Sequence, residues 1–219
     1  QPRPDRRGTE ALNFFGHAVV ASWADRRAGH LLGSMLPDFE AMVGVPLSMV
    51  HDPDIQRGIQ LHHRTDEAFH RAPAFLASCA HALAALTKLG VRRGTARAVG
   101  HIGTEMLLDG WLVREQRHID GYLEAIELET AALFEWSDEG KAFSKLQARL
   151  AVWGAPRDYA EPAFVLARLR DALRHRPALA LLDDQSEQVA DYLPSLQRLV
   201  EQRAPELLKE LQDALGFGD

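Results

Sequence analysis

Apolar residues return every three or four positions along nearly the whole 219-residue chain, and runs that alternate polar with apolar are hard to find. That spacing suits the 3.6-residue turn of a helix and not the two-residue repeat of a strand, so the expected fold is all-α. With 46% hydrophobic residues the chain has enough apolar surface for a sizeable core, which predicts one domain over 1–219 built as a multi-helix bundle. Punctuation along the chain supplies the helix limits. Thr9 reads as the N-cap of a first helix ending near Ala24, and "AGHLLGSMLPDF" as a second that stops near Pro37. Asp52 and Pro53 read as the cap and first position of a third. Pro73 opens a helix to about Leu89, closed by Gly90, and Thr95 to Glu115 forms the next. Further helical patterns cover roughly 118–135, 138–153 and 159–175, then 185–215 with a break near Pro194.

Charge narrows the partners. The net charge of −6 comes without a polybasic stretch, which argues against nucleic acid or an anionic membrane surface as the partner. Residues 1–110 hold 12 Lys and Arg against 11 Asp and Glu, and the remainder 13 against 20. The chain therefore divides into a nearly neutral half, 10–115, and an acidic half, 116–219. The single cysteine, Cys79, excludes an internal disulfide and a cysteine-based zinc cluster, and fits a reducing, cytoplasmic setting. No run approaches the ~18 apolar residues of a membrane span, and no charged-then-apolar signal segment opens the sequence.

Histidines and carboxylates gather where the apolar pattern expects core. On a helical count from Asp54, His62 falls near 80° and Asp66 near 120°, on the arc of Ile55, Ile59 and Phe69. Gln56, Gln60, Arg64 and Glu67 take the opposite arc, with His63 and His70 at the edge of the buried one, as neighbours of the site or as surface groups. In "AVGHIGTEMLLDGWLV", His101, Glu105 and Asp109 follow at four-residue steps among Ile102, Leu108, Leu112 and Val113. No Lys or Arg lies in that helix between Arg97 and Arg114, so buried carboxylates there need a partner from elsewhere. His17 sits in a first helix that is apolar nearly all round, and Asp38 follows Pro37.

His17, Asp38, His62, Asp66, His101, Glu105 and Asp109 thus form a mixed imidazole and carboxylate set that suits a divalent metal site between helices, with manganese, zinc, iron or magnesium as the ion. Ordinary readings stand beside this one. A buried histidine can be a hydrogen-bonded core residue, His62 and Asp66 a structural pair, and the 101/105/109 stripe the partner of basic residues on another helix. His30, His51, His81, His118 and His175 read as surface or core groups without function, and "GYLEAIELETAALFEW" as a solvated acidic helix face.

"LNFFGHAVVA", "GSMLPDF" and "GIQLHHRTD", in that order and spacing, resemble the bacterial acyl-carrier-protein phosphodiesterases over residues 12 to about 115. Those proteins are all-helical, distantly similar to HD-type phosphohydrolases, and use manganese to cleave the 4'-phosphopantetheine arm from the carrier serine. The resemblance implies metal ligation by His17, Asp38, His62 and Asp66, and matches Arg64 to a motif position. Where that family has an Asp-His pair, alignment on Trp111 places Thr104 and Glu105. This changes the ligand to a carboxylate or shifts it to His101. A looser likeness joins the first helix and "LLGSMLPDF" to bacterial zinc-dependent phospholipase C relatives.

The expected activity is metal-dependent hydrolysis of a phosphodiester or other phosphoester, with a holo acyl carrier protein as one substrate. His63 is the candidate acid or phosphate contact; Arg64, its other catalytic candidate, falls on the far helix face. Arg26, Arg27, Arg57, Arg71, Arg92, Arg93 and Arg97 are candidates to meet an acidic carrier. The rival from another class is a non-catalytic helical interaction module.

Overall fold

The computed structural model describes residues 13–218. Thr9, expected as the first N-cap, lies outside them. The described chain is all-α apart from one small ribbon: α1 (Phe14–Ala24), α2 (Ala28–Val43), β1 (Leu47–Val50), α3 (Pro53–Arg71), α4 (Pro73–Lys88), α5 (Arg93–Leu112), α6 (Gln116–Ile126), β2 (Phe134–Trp136), α7 (Lys141–Trp153), a 3-10 turn (Arg157–Ala160), α8 (Pro162–Leu173) and α9 (Asp183–Leu215). Among the described residues no helix is long and apolar enough to cross a membrane.

Two compact units result. The first joins the described residues up to Asp66 with Glu115–Ala155, and the second joins Glu67–Arg114 with Pro156–Asp219. In the first unit α1 packs on α2 and α6, and α7 on α2 and α6. Phe15, Val19, Val20 and Ala21 of α1 are buried against this frame, as an all-round apolar helix requires. Gly33 and Gly58 let α2 and α3 approach closely: a Cβ at Gly33 would stand 2.3 Å from the Ile55 carbonyl oxygen, and one at Gly58 2.3 Å from that of His30. α3 begins as its sequence predicts, with Asp52 Oδ1 accepting from the backbone N–H groups of Asp54 (2.8 Å) and Ile55 (3.0 Å).

In the second unit α9 lies along α4, α5 and α8, burying Leu193, Leu196, Val200, Leu207 and Leu211. Two prolines expected to punctuate helices do not. α2 continues through Pro37 to Gly44, whose φ of 68° ends it, and α9 continues through Pro194 and Pro205. Each proline forfeits one helical hydrogen bond, and buried Leu36 and Phe39 in α2 and the leucine stripe in α9 offset that loss. Asp38 therefore stands inside α2 and not beyond its end.

The segment 118–135 is not one helix. α6 stops at Ile126, and Phe134–Trp136 pairs antiparallel with Leu47–Val50, in the register Leu47 to Trp136 and Val50 to Phe134. The apolar residues Phe134 and Trp136 turn inward around exposed Glu135, with Trp136 stacked on Phe143. That two-residue repeat is the strand signature, too short to stand out in an acidic stretch.

Candidate metal centre

The first unit gathers His17, His62 and Asp66 so that one ligand atom from each lies within 4.8 Å of the others. α1 supplies His17, 1% exposed, and α3 supplies His62, 3% exposed. Asp66 follows His62 by one helical turn, which brings its carboxylate over the same face. His17 Nε2 is 3.1 Å from Asp66 Oδ1, and His62 Nε2 is 3.3 Å from Asp66 Oδ2. Asp38 of α2 stands at the margin, with Oδ2 3.9 Å from His17 Nε2. Imidazole nitrogens and carboxylate oxygens bind divalent zinc at about 2.0–2.2 Å, so ligand atoms around one ion stand roughly 3.0–3.5 Å apart. The His17–Asp66 and His62–Asp66 distances, each to its own carboxylate oxygen, fall in that range.

The tautomer of His62 is fixed from behind. A backbone carbonyl only accepts, so the 2.8 Å contact between His62 Nδ1 and the Ser34 oxygen places the proton on Nδ1. Neutral His62 then presents a lone pair at Nε2 to a carboxylate oxygen, an arrangement that needs a proton or a cation between the two. Burial opposes charge on His62, but Asp66, with Asp38 behind it, outweighs burial and raises the imidazole pKa. Burial pushes the Asp66 carboxyl up, yet His17 and His62 together hold it well below the usual carboxylate range. The His17 and His62 rings stack with centroids 3.9 Å apart, and two imidazolium rings at that separation repel. One divalent ion would use both rings in their neutral form.

The sequence offers seven candidate ligands for one or two ions; among the described residues the structure forms two groups. His101 and Glu105 join not with His17 but with His70, in the second unit. The helical count puts His70 at the edge of the buried arc, and its position four residues after Asp66 continues the 62, 66, 70 step along α3. Asp109 is fully buried in α5 but belongs to neither group. Thr104, the other residue at the Asp-His position, donates its hydroxyl to the Gly100 carbonyl of its own helix at 2.6 Å.

His63 is exposed and meets the His62 ring edge-on, with centroids 5.3 Å apart. Arg64 is exposed, as are Gln56, Gln60 and Glu67, in agreement with the helical count. Several arginines expected to face a carrier are already engaged. Arg27 pairs with Asp25 and with Asp54, Arg57 pairs with Asp54, and Arg71 pairs with Glu67. Arg92 donates to the Ala180 carbonyl at 2.7 Å.

Comparison with family models, with curated proteins and with solved structures finds no match to this chain.

Proposed function

We propose that the protein is a divalent-metal-dependent phosphoester hydrolase, of the phosphodiesterase kind, whose ion is held by His17, His62 and Asp66 with Asp38 beside them. The observation that carries the reading is the buried convergence of two stacked imidazoles on one carboxylate. When bound, a divalent ion acts as a Lewis acid and offsets charge that builds on phosphoryl oxygens. Manganese is the ion named by the sequence resemblance, with zinc, iron and magnesium as alternatives for a mixed nitrogen and oxygen set.

The chain's own groups have separate tasks in this proposal. Ser34 holds His62 in the tautomer that keeps Nε2 for the ion. His63, exposed beside His62, donates a proton to the leaving oxygen. Arg64 lies about 200° from His62 around α3 and is exposed, which keeps it out of the ligand cluster. The specific substrate suggested by the resemblance is the phosphopantetheinyl serine of a holo acyl carrier protein.

The test incubates purified protein and manganese with a chromogenic phosphodiester and, separately, with holo carrier protein. Metal-dependent release of the chromophore that disappears in His62→Ala and Asp66→Ala supports the hydrolase. A carrier mass loss equal to the phosphopantetheine arm assigns the substrate. Absence of turnover on both, with a melting temperature unmoved by manganese or zinc, overturns the reading and leaves a non-catalytic helical module.

A further inference from the structure

The second unit holds a cluster that the hydrolase proposal does not use. His70 from the last turn of α3 and His101 from α5 stack with ring centroids 5.1 Å apart, and their Nε2 atoms face each other at 3.2 Å. Glu105, one turn after His101, brings Oε1 to 3.0 Å from His101 Nε2 and 3.7 Å from His70 Nε2. The Glu105 side chain is 3% exposed, and Oε1 is buried without a hydrogen-bond partner. Closeness without hydrogen-bond alignment leaves that oxygen unsatisfied, a condition that destabilises a buried charged group.

We propose that His70, His101 and Glu105 form a second divalent-metal site, of the two-histidine, one-glutamate kind that suits zinc. The three distances bracket the roughly 3.4 Å expected between ligand atoms on a tetrahedral zinc ion. Phe75 packs edge-on against both rings, with centroids 5.7 Å from His70 and 5.1 Å from His101, and so limits their rotation. His70 and His101 side chains are 31% and 33% exposed. The site is therefore buried at its carboxylate and open at its imidazoles, and three protein ligands leave a coordination position for water or a small ligand. The ion would satisfy Glu105 Oε1 and take both Nε2 lone pairs, with each ring proton moved to Nδ1. This site does not depend on the hydrolase reading, since it uses other residues and is read by binding and not by turnover.

The experiment titrates the full chain with cobalt(II), and separately with zinc, after chelator treatment, following visible absorption and heat. Wild type is expected to take two equivalents. His101→Ala and Glu105→Gln are each expected to retain one, with the other weakened about a hundredfold or more, since even partners of a ligand contribute 10–100-fold. His62→Ala is expected to retain the His70, His101 and Glu105 ion. In unmodified protein, the imidazole nitrogen resonances of His70 and His101 should move when zinc is added, which decides the matter even if a variant fails to fold. Unmoved resonances, or wild-type stoichiometry and affinity in folded Glu105→Gln and His101→Ala, overturn the proposal.

Discussion

His62 donates from Nδ1 to the Ser34 carbonyl oxygen at 2.8 Å, and this contact turns its Nε2 toward Asp66. The bond exists because α2 and α3 approach closely enough at Gly33 and Gly58 to put a helix carbonyl behind an imidazole. Helix packing thus sets the tautomer, and the tautomer sets what the site can bind.

Adding a methyl group at that crossing should disturb both. Gly58→Ala places a Cβ 2.3 Å from the His30 carbonyl oxygen and 2.7 Å from the Ser34 backbone nitrogen, which forces the helices apart. A loss of about 1–3 kcal/mol is expected from overpacking, measured by denaturant unfolding, together with weaker metal binding. Alanine at the exposed Gln60, two residues on along α3, should leave both unchanged.

The metal-free and metal-loaded proteins should respond oppositely to pH. His62 has a raised pKa, so its contribution is full below its ordinary 6.5 and is lost as pH rises through the folded value. Asp66 has a lowered pKa, so its contribution is present above 3.8 and lost as pH falls. Without metal, both contributions coexist between these two values. Bound metal needs neutral imidazoles and competes with protons, so its stabilisation grows from pH 6 to 8. Calorimetric melting in chelator and in excess manganese should diverge over that range. At a hundredfold excess over Kd the gain is about 2.7 kcal/mol, or roughly 5–10 °C for a chain of this size.

Cys79 should react slowly with alkylating agents. Burial, with the Glu105 charge adding to it, pushes its thiol up to about 12, and the thiolate is the nucleophile. At pH 8 iodoacetamide should modify it on the order of a thousandfold more slowly than an unperturbed cysteine. Modification at the unfolded rate in native protein would contradict the burial of this position.

Much of the local architecture was legible. Asp52 and Pro53 announced α3, the polar arc of Gln56, Gln60, Arg64 and Glu67 is the exposed one, and His62 with Asp66 was readable as an inward pair. Local rules failed where distant packing decided the outcome. Pro37 and Pro194 did not end helices because buried neighbours hold the chain on course. The ribbon escaped because its partners are far apart in sequence, as His51 and Glu135, 84 positions apart, illustrate. A wheel drawn for α3 alone puts His70 at an edge, because its role depends on where α5 presents His101 and Glu105.

Elemental analysis of protein purified without chelator tests the central claim most directly. Wild type should carry a divalent transition metal, and His62→Ala and Asp66→Ala, shown to be folded by circular dichroism, should lose the ion held by His17, His62 and Asp66. Full wild-type metal content in both variants would contradict the account.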